Sequence, residues 1–176
     1  MLRQYHRFRL LLKNEGAFAS KRPFLNTAMN SMCEYKLVLA EAGLRAATLA
    51  LLRENDLPVS DLGETKTLFA CLRNADVVGT GGLESFRDCA LLRSISIKKD
   101  LQKKGLGKFI VGELEKLARQ NGVNRLYLLT TTAGDFFAKI GYETINREAV
   151  PIEIKNTTEF SSICPSTAKV MRKFLS

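Results

Sequence analysis

The chain has 176 residues, 45% of them hydrophobic and 26% charged, with a formal net charge of +9. That length and balance predict one globular domain with a full core and room for little else, and no apolar run approaches the roughly 18 residues of a membrane span. Four cysteines, at 33, 71, 89 and 164, lack metal-ligand spacing, and His6 is the only histidine, so a zinc site and a histidine-based triad are disfavoured.

Residues 1–33 hold Arg3, Arg7, Arg9, Lys13, Lys21 and Arg22 against Glu15 alone, so they carry +5 of the +9 and leave +4 on the rest. The excess therefore argues for a basic, disordered extension rather than a nucleic-acid surface, because the remainder has no helix-turn-helix or finger spacing. Its arginine-rich, acid-poor character resembles an organellar transit peptide. An upstream start codon accounts for it equally, since Met29 and Met32 sit just before ordered pattern begins. Absent targeting, sparse cysteines imply reduced thiols and a cytoplasmic protein.

Residues 34–176 are expected to form the domain. Alternation over 35–39 predicts a strand, and Leu44, Thr48, Leu51 and Leu52 recur at helical spacing until Asn55, Asp56 and Pro58 stop that helix. Residues 67–72 and 77–84 read as strands joined by the polar turn 73–76, and 89–97 follows as a third, which makes an antiparallel meander. Leu106, Phe109, Ile110, Leu114, Leu117 and Ala118 share one face of a helix that Asn121-Gly122 ends. Residues 125–130 return after that helix, so they are expected to run parallel to 91–97 and to be buried on both faces. A short helix over 133–140, a strand over 141–145, a second short helix over 151–160 and a strand over 168–174 complete the order.

Gln102-Lys103-Lys104-Gly105-Leu106-Gly107 lies between a strand and a helix, where unpaired backbone N–H groups and the helix dipole favour an anion. Lys103, Lys104 and Lys108 add formal charge. A Walker A loop would need glycine at Gln102 and Ser or Thr at Phe109, and a dinucleotide fingerprint would need a small residue at Ile110. The spacing Gln-x-x-Gly-x-Gly resembles instead the coenzyme A pyrophosphate loop of the GNAT acetyltransferases, and the order of elements from Tyr35 onward is similar to theirs. Four segments, 91–94, 126–133, 136–142 and 159–165, resemble the branch called arsenic-resistance N-acetyltransferases.

The resemblance implies a three-layer α/β sandwich: a mixed, mostly antiparallel sheet whose parallel pair, 91–97 and 125–130, splays around the cofactor. It implies acetyl transfer from acetyl-CoA, without a metal, to the amine of a small molecule such as an organoarsenical. A protein amine and a catalytically silent coenzyme A sensor are the alternatives, and a homodimer is a compatible assembly. Ile95, Ser96 and Ile97 would pair with the pantetheine arm, with the Ile97 main chain polarising the thioester carbonyl, and residues 102–108, Leu106 included, would hold the pyrophosphate.

Two positions depart from the family pattern. Arg93 stands where many members carry a carboxylate base, and Phe137 where they carry a tyrosine that protonates the leaving thiolate. Glu84 and Asp135 are the carboxylates left near the expected cleft, and Glu84 is the candidate base. Strand alternation puts Arg93 on one face with Ile95 and Ile97. It either pairs internally with Glu84, Asp88 or Asp135, or grips an anionic group of the acceptor. Thr130, Thr131 and Thr132 would line the acceptor pocket, with Thr132 also able to cap the next helix. Cys164 reads as a small buried apolar residue rather than an arsenic ligand.

Overall fold

A computed structural model describes residues 34–175, so the readings made of residues 1–33 lie outside the described residues. Seven strands form one sheet: β1 (Tyr35–Leu39), β2 (Leu68–Arg73), β3 (Asp76–Ser85), β4 (Cys89–Ile97), β5 (Arg125–Thr130), β6 (Glu143–Ile145) and β7 (Lys169–Phe174). Their spatial order is β1-β2-β3-β4-β5-β7-β6. Every neighbouring pair is antiparallel except β4 and β5, which are joined by α2 (Leu106–Gln120) and run parallel. This is the mixed α/β architecture the sequence predicts.

Alternation along the strands sorts side chains into two layers of core. Phe69, Cys71, Ala90, Leu92, Leu126, Leu128 and Met171 face α2 and the short helix α3 (Gly134–Lys139). On the opposite face, Leu68, Ala70 and Val77 meet α1 (Ala42–Glu54), while Leu91, Tyr127 and Val170 meet Ile154 of α4 (Ile152–Lys155) and Phe160. Among the described residues, no helix is long and apolar enough to cross a membrane.

Helix α2 presses unusually close to the sheet. A Cβ on Gly79 would lie 2.5 Å from Ile110 Cδ1, and one on Gly81 2.6 Å from Leu114 Cδ1. Glycine at these two places in β3 lets the α2 stripe of Leu106, Ile110, Val111, Leu114, Leu117 and Ala118 bury itself. Burial of each large side chain contributes roughly 1.5–3 kcal/mol. At the other end, Gly122 at φ +80 sends its N–H to Arg119 O, and Val123 N–H reaches Ala118 O. These are the two bonds of a Schellman cap, the end the Asn121-Gly122 pair predicts.

The segment expected as one helix over 151–160 is instead two pieces, because Thr157 interrupts it. Its hydroxyl donates to Ile154 O at 2.7 Å and accepts Phe160 N–H at 3.2 Å, closing α4 and opening a separate π-turn, Glu159–Ile163. Cys164 N–H donates to Glu159 O at 2.9 Å, the wide spacing of that turn. The consequence is that Glu159 points back into the molecule, where it is 8% exposed.

Candidate functional site

The site begins with a break in the sheet. β4 and β5 pair only through Cys89 with Arg125, Ala90 with Leu126 and Leu91 with Tyr127, although both strands continue. The cause lies in β4: Ser94 adopts φ +55, and its carbonyl accepts the Thr80 hydroxyl at 2.6 Å. The β3–β4 register passes from Gly82 opposite Arg93 to Thr80 opposite Ser96, so Ser94 and Ile95 together oppose Gly81. That is a β-bulge, which bends a strand and re-aims its side chains.

The bulge overturns the expected placement of Arg93. Strict alternation would align Arg93 with Ile95 and Ile97; the extra residue instead sends Ile95 and Ile97 to the α2 core with Leu92. Arg93 is left on the opposite face, where it meets Glu159.

Between the parted strands lies a cavity of about 260 Å³. Ser94 and Ile95 of β4, Leu128 to Thr130 of β5 and Phe137 of α3 form its walls, with Thr131 and Thr132 at the end of β5. Arg93 and Glu159 close one side, and Asp56 stands on the wall contributed by the segment after α1. Arg93, Ile95 and all three threonines are thus brought together, whereas Glu84, Ser96 and Ile97 are not among the lining residues. Thr130, rather than Thr132, closes the turn into α3: its hydroxyl accepts Ala133 N–H at 2.9 Å.

Beyond the end of β4, the 102–108 turn is built of main chain. Lys103 has φ +61 and Gly105 φ +87, and left-handed residues set into a turn make successive amide groups converge. The first bond of α2 runs from Phe109 N–H to Gly105 O at 3.1 Å. The amides of residues 106–108 therefore precede the helical ladder and, as helix-start donors, lack partners within it. Gln102, Lys103, Lys104, Gly105 and Lys108 are exposed, while Leu106 and Gly107 are buried. A Cβ on Gly107 would meet Phe136 Cζ at 3.1 Å and Ile97 Cδ1 at 3.2 Å, so this glycine seats α3 against α2. The Gln102 side chain donates to Ile97 O at 3.2 Å, tying the turn to the strand end. Such a turn offers an anionic group such as a pyrophosphate helix-start donors, the helix dipole and exposed lysines.

The other end of the site is a buried ion cluster. Arg93 is 5% exposed. Its Nη1 donates to Asp61 Oδ2 at 2.6 Å and Glu84 Oε1 at 2.5 Å, its Nη2 donates to Asp61 Oδ1 at 2.8 Å, and its Nε lies 2.6 Å from Glu159 Oε2. Lys66 holds the other oxygen of Glu84. Of the partners expected for Arg93, Glu84 is found; Asp88 pairs with Arg125 instead, and Asp135 sits exposed at the start of α3. Both oxygens of Glu84 are engaged by cations, which leaves it little to offer a substrate.

Asp61, Lys66 and Glu159 escape sequence reasoning as site residues. A buried arginine announces that counter-charges must exist, but these come from the loop before β2 and the π-turn before β7. Thr80 was equally silent. Glu159 is pushed up to about 7, first by burial, with Asp61 and Glu84 adding to the shift and Arg93 opposing it. Cys164, whose Sγ–H donates to Glu159 Oε1 at 3.9 Å, is pushed up to about 11, first by burial and then by Glu159. It is half-buried rather than fully enclosed. Among the described residues, no group of three or more His, Cys, Asp or Glu is placed to hold a metal ion.

The profile of the acetyltransferase (GNAT) family matches residues 33–142. An uncharacterized N-acetyltransferase of Chlorobaculum tepidum is 34% identical over 65 residues, 37% of this chain and 41% of that protein. An amino-acid acetyltransferase of Neisseria meningitidis is 26% identical over 80 residues, 44% of this chain and 18% of that one. This chain thus covers less than half the length of either relative. N-acetylglutamate synthase of Neisseria gonorrhoeae, solved with coenzyme A and N-acetyl-glutamate, superposes with a TM-score of 0.69 at 19% identity, over 89% of this chain and 36% of that one.

Proposed function

This chain belongs to the acetyltransferase (GNAT) family, and we propose that it moves an acetyl group from acetyl-CoA to the amine of a small molecule by direct attack in a ternary complex. The observation that carries the reading is the separation of β4 from β5 over a cavity, together with a left-handed, lysine-bearing turn that follows β4 at a helix start. Parted strands leave main-chain donors and acceptors that a pantetheine arm can satisfy in place of the missing ladder. Ile95, Ser96 and Ile97 supply that edge on β4, and residues 102–108 take the pyrophosphate, with Lys103, Lys104 and Lys108 adding charge.

Catalysis then rests on placing the amine against the thioester carbonyl and on main-chain donors of β4 aimed at the developing oxyanion. An acyl-enzyme is unnecessary, and Cys164 is ill suited to form one: a thiol at about 11 is protonated at neutral pH. The acceptor occupies the cavity beside Thr131 and Thr132. Arg93, with its three nitrogens already on carboxylates, shapes that wall rather than gripping an acceptor anion.

A free amino acid is one acceptor class, supported by the relatives' names and bound product. An amino-bearing organoarsenical is the other, supported by the motifs at 126–133 and 159–165. The test is release of the coenzyme A thiol from acetyl-CoA, followed across amino acids, amino-bearing organoarsenicals, simple amines and peptides. Turnover confined to small amines supports the proposal; turnover confined to peptides, or tight coenzyme A binding with no turnover, overturns it.

A further inference from the structure

We infer that Glu159 is the group that takes the proton from the acceptor's ammonium, and that Arg93 positions it for that task. The inference rests on the acetyl-transfer reading and names a residue outside the family's usual place for a base, which Arg93 occupies here.

Two carboxylates line the cavity, Asp56 and Glu159. Asp56 is exposed, so water screens it; Glu159 is enclosed. Asp61 and Glu84 are not among the lining residues and are tied to the guanidinium and to Lys66. Arg93 reaches Glu159 through Nε alone, because Asp61 takes Nη1 and Nη2 as a fork and Glu84 shares Nη1. One Glu159 oxygen, Oε2, is therefore held as an ion pair 2.6 Å from Nε, while among the described residues the other, Oε1, has the weak Cys164 thiol as its donor. The groups facing it are Arg93 from β4, Asp61 from the loop, Glu84 from β3, Lys66 before β2 and Cys164 just beyond the π-turn, with Arg147 behind the thiol and bonded to Phe160 O.

The balance is simple. The acceptor R–NH3⁺ gives one proton to the Glu159 carboxylate. The freed lone pair attacks the thioester carbon, the C–N bond forms and the C–S bond breaks. A second nitrogen proton passes to the leaving thiolate, and Glu159 returns its proton to water through the cavity. A base that titrates near working pH is effective in both steps, and Glu159 at about 7 meets that condition.

The experiment is the pH dependence of kcat/KM on the full chain, from pH 6 to 9, with an acceptor whose amine titrates well above 9. In the wild type the profile should rise and level off with a midpoint at about 7. Glu159→Gln should lose roughly 100-fold or more at pH 7, the scale of general-base catalysis. Its rate should climb about tenfold per pH unit without levelling, because only pre-formed free amine then reacts, while acetyl-CoA affinity stays within about threefold. A merely structural role would lower the whole curve and keep its shape. Asp61→Asn provides a second readout, needed if Glu159→Gln does not fold. Removing that negative neighbour should move the midpoint downward, and an unmoved midpoint would overturn the assignment. A Glu159→Gln protein with the wild-type profile would overturn it too, leaving acetyl transfer intact. A wild type that binds acetyl-CoA and turns over no amine would overturn both.

Discussion

The two ends of the cleft are made of different materials. At the end proposed for the cofactor, seven consecutive residues, 102–108, supply backbone amides, a helix start and exposed lysines. At the end proposed for the acceptor, Asp61, Lys66, Glu84, Arg93 and Glu159 come from four separate stretches of chain and meet as side chains around one buried guanidinium. A ligand common to many enzymes can be held by main chain, whose chemistry does not depend on sequence. An acceptor particular to one enzyme must be recognised by side chains, and those can be gathered from anywhere in the fold.

If that contrast holds, damage at one end should leave the other intact. The largest effect should follow Arg93→Ala, which strands three carboxylates in a poorly solvated place. Breaking a buried ion pair costs about 3–5 kcal/mol, measurable as a fall in the denaturant midpoint, and the loss should shrink in acid as the carboxylates take up protons. Gly81→Val tests the scaffold between the ends. Its Cβ would lie 2.6 Å from Leu114 and 3.1 Å from Ile95, so overpacking should cost about 1–3 kcal/mol in thermal or denaturant unfolding.

Lys104→Glu, exposed in the 102–108 turn, should instead spare stability and weaken acetyl-CoA about tenfold, or about 1.4 kcal/mol. That loss should diminish at higher ionic strength, since the charge is screened. A finer effect is the pH dependence of stability. The folded protein holds the Glu159 proton up to about 7, against 4.5 for an ordinary glutamate, so the folded state binds more protons between those values. Its contribution to stability is complete below about 4.5 and is lost as pH rises through about 7. Glu159→Gln should flatten that slope in equilibrium unfolding. Smallest of all, Arg172→Ala removes a pair with Glu143, itself 56% exposed, and should cost no more than about 1 kcal/mol.

The same contrast explains what could be read in the sequence. Order and type of nearly every element followed from local periodicity, and the Asn121-Gly122 stop and the 102–108 turn depended on residues adjacent in the chain. The Arg93 face was misread because one extra residue at Ser94, with a left-handed φ, shifts alternation by one; a serine carries no mark of such a bulge. The Thr80 hydroxyl, fourteen residues away, donates to its carbonyl. The interrupted 151–160 helix likewise turned on a threonine hydroxyl competing with the helical ladder. The Arg93–Glu84 pair was legible from the strands, whereas Asp61, Lys66 and Glu159 were not. An isolated carboxylate near the end of the chain reveals neither its burial nor its partners until the sheet brings β4 and the π-turn together.

The central claim is that the parted strands and the turn beyond them form an acetyl-CoA site. Calorimetric titration of acetyl-CoA into the full chain, run beside Gly107→Glu, tests it most directly, because the variant drives a side chain toward Phe136 and a negative charge into the helix start. Micromolar binding by the wild type, lost in a variant that still unfolds cooperatively, is the predicted result. A folded wild type that takes up no acetyl-CoA would contradict the account.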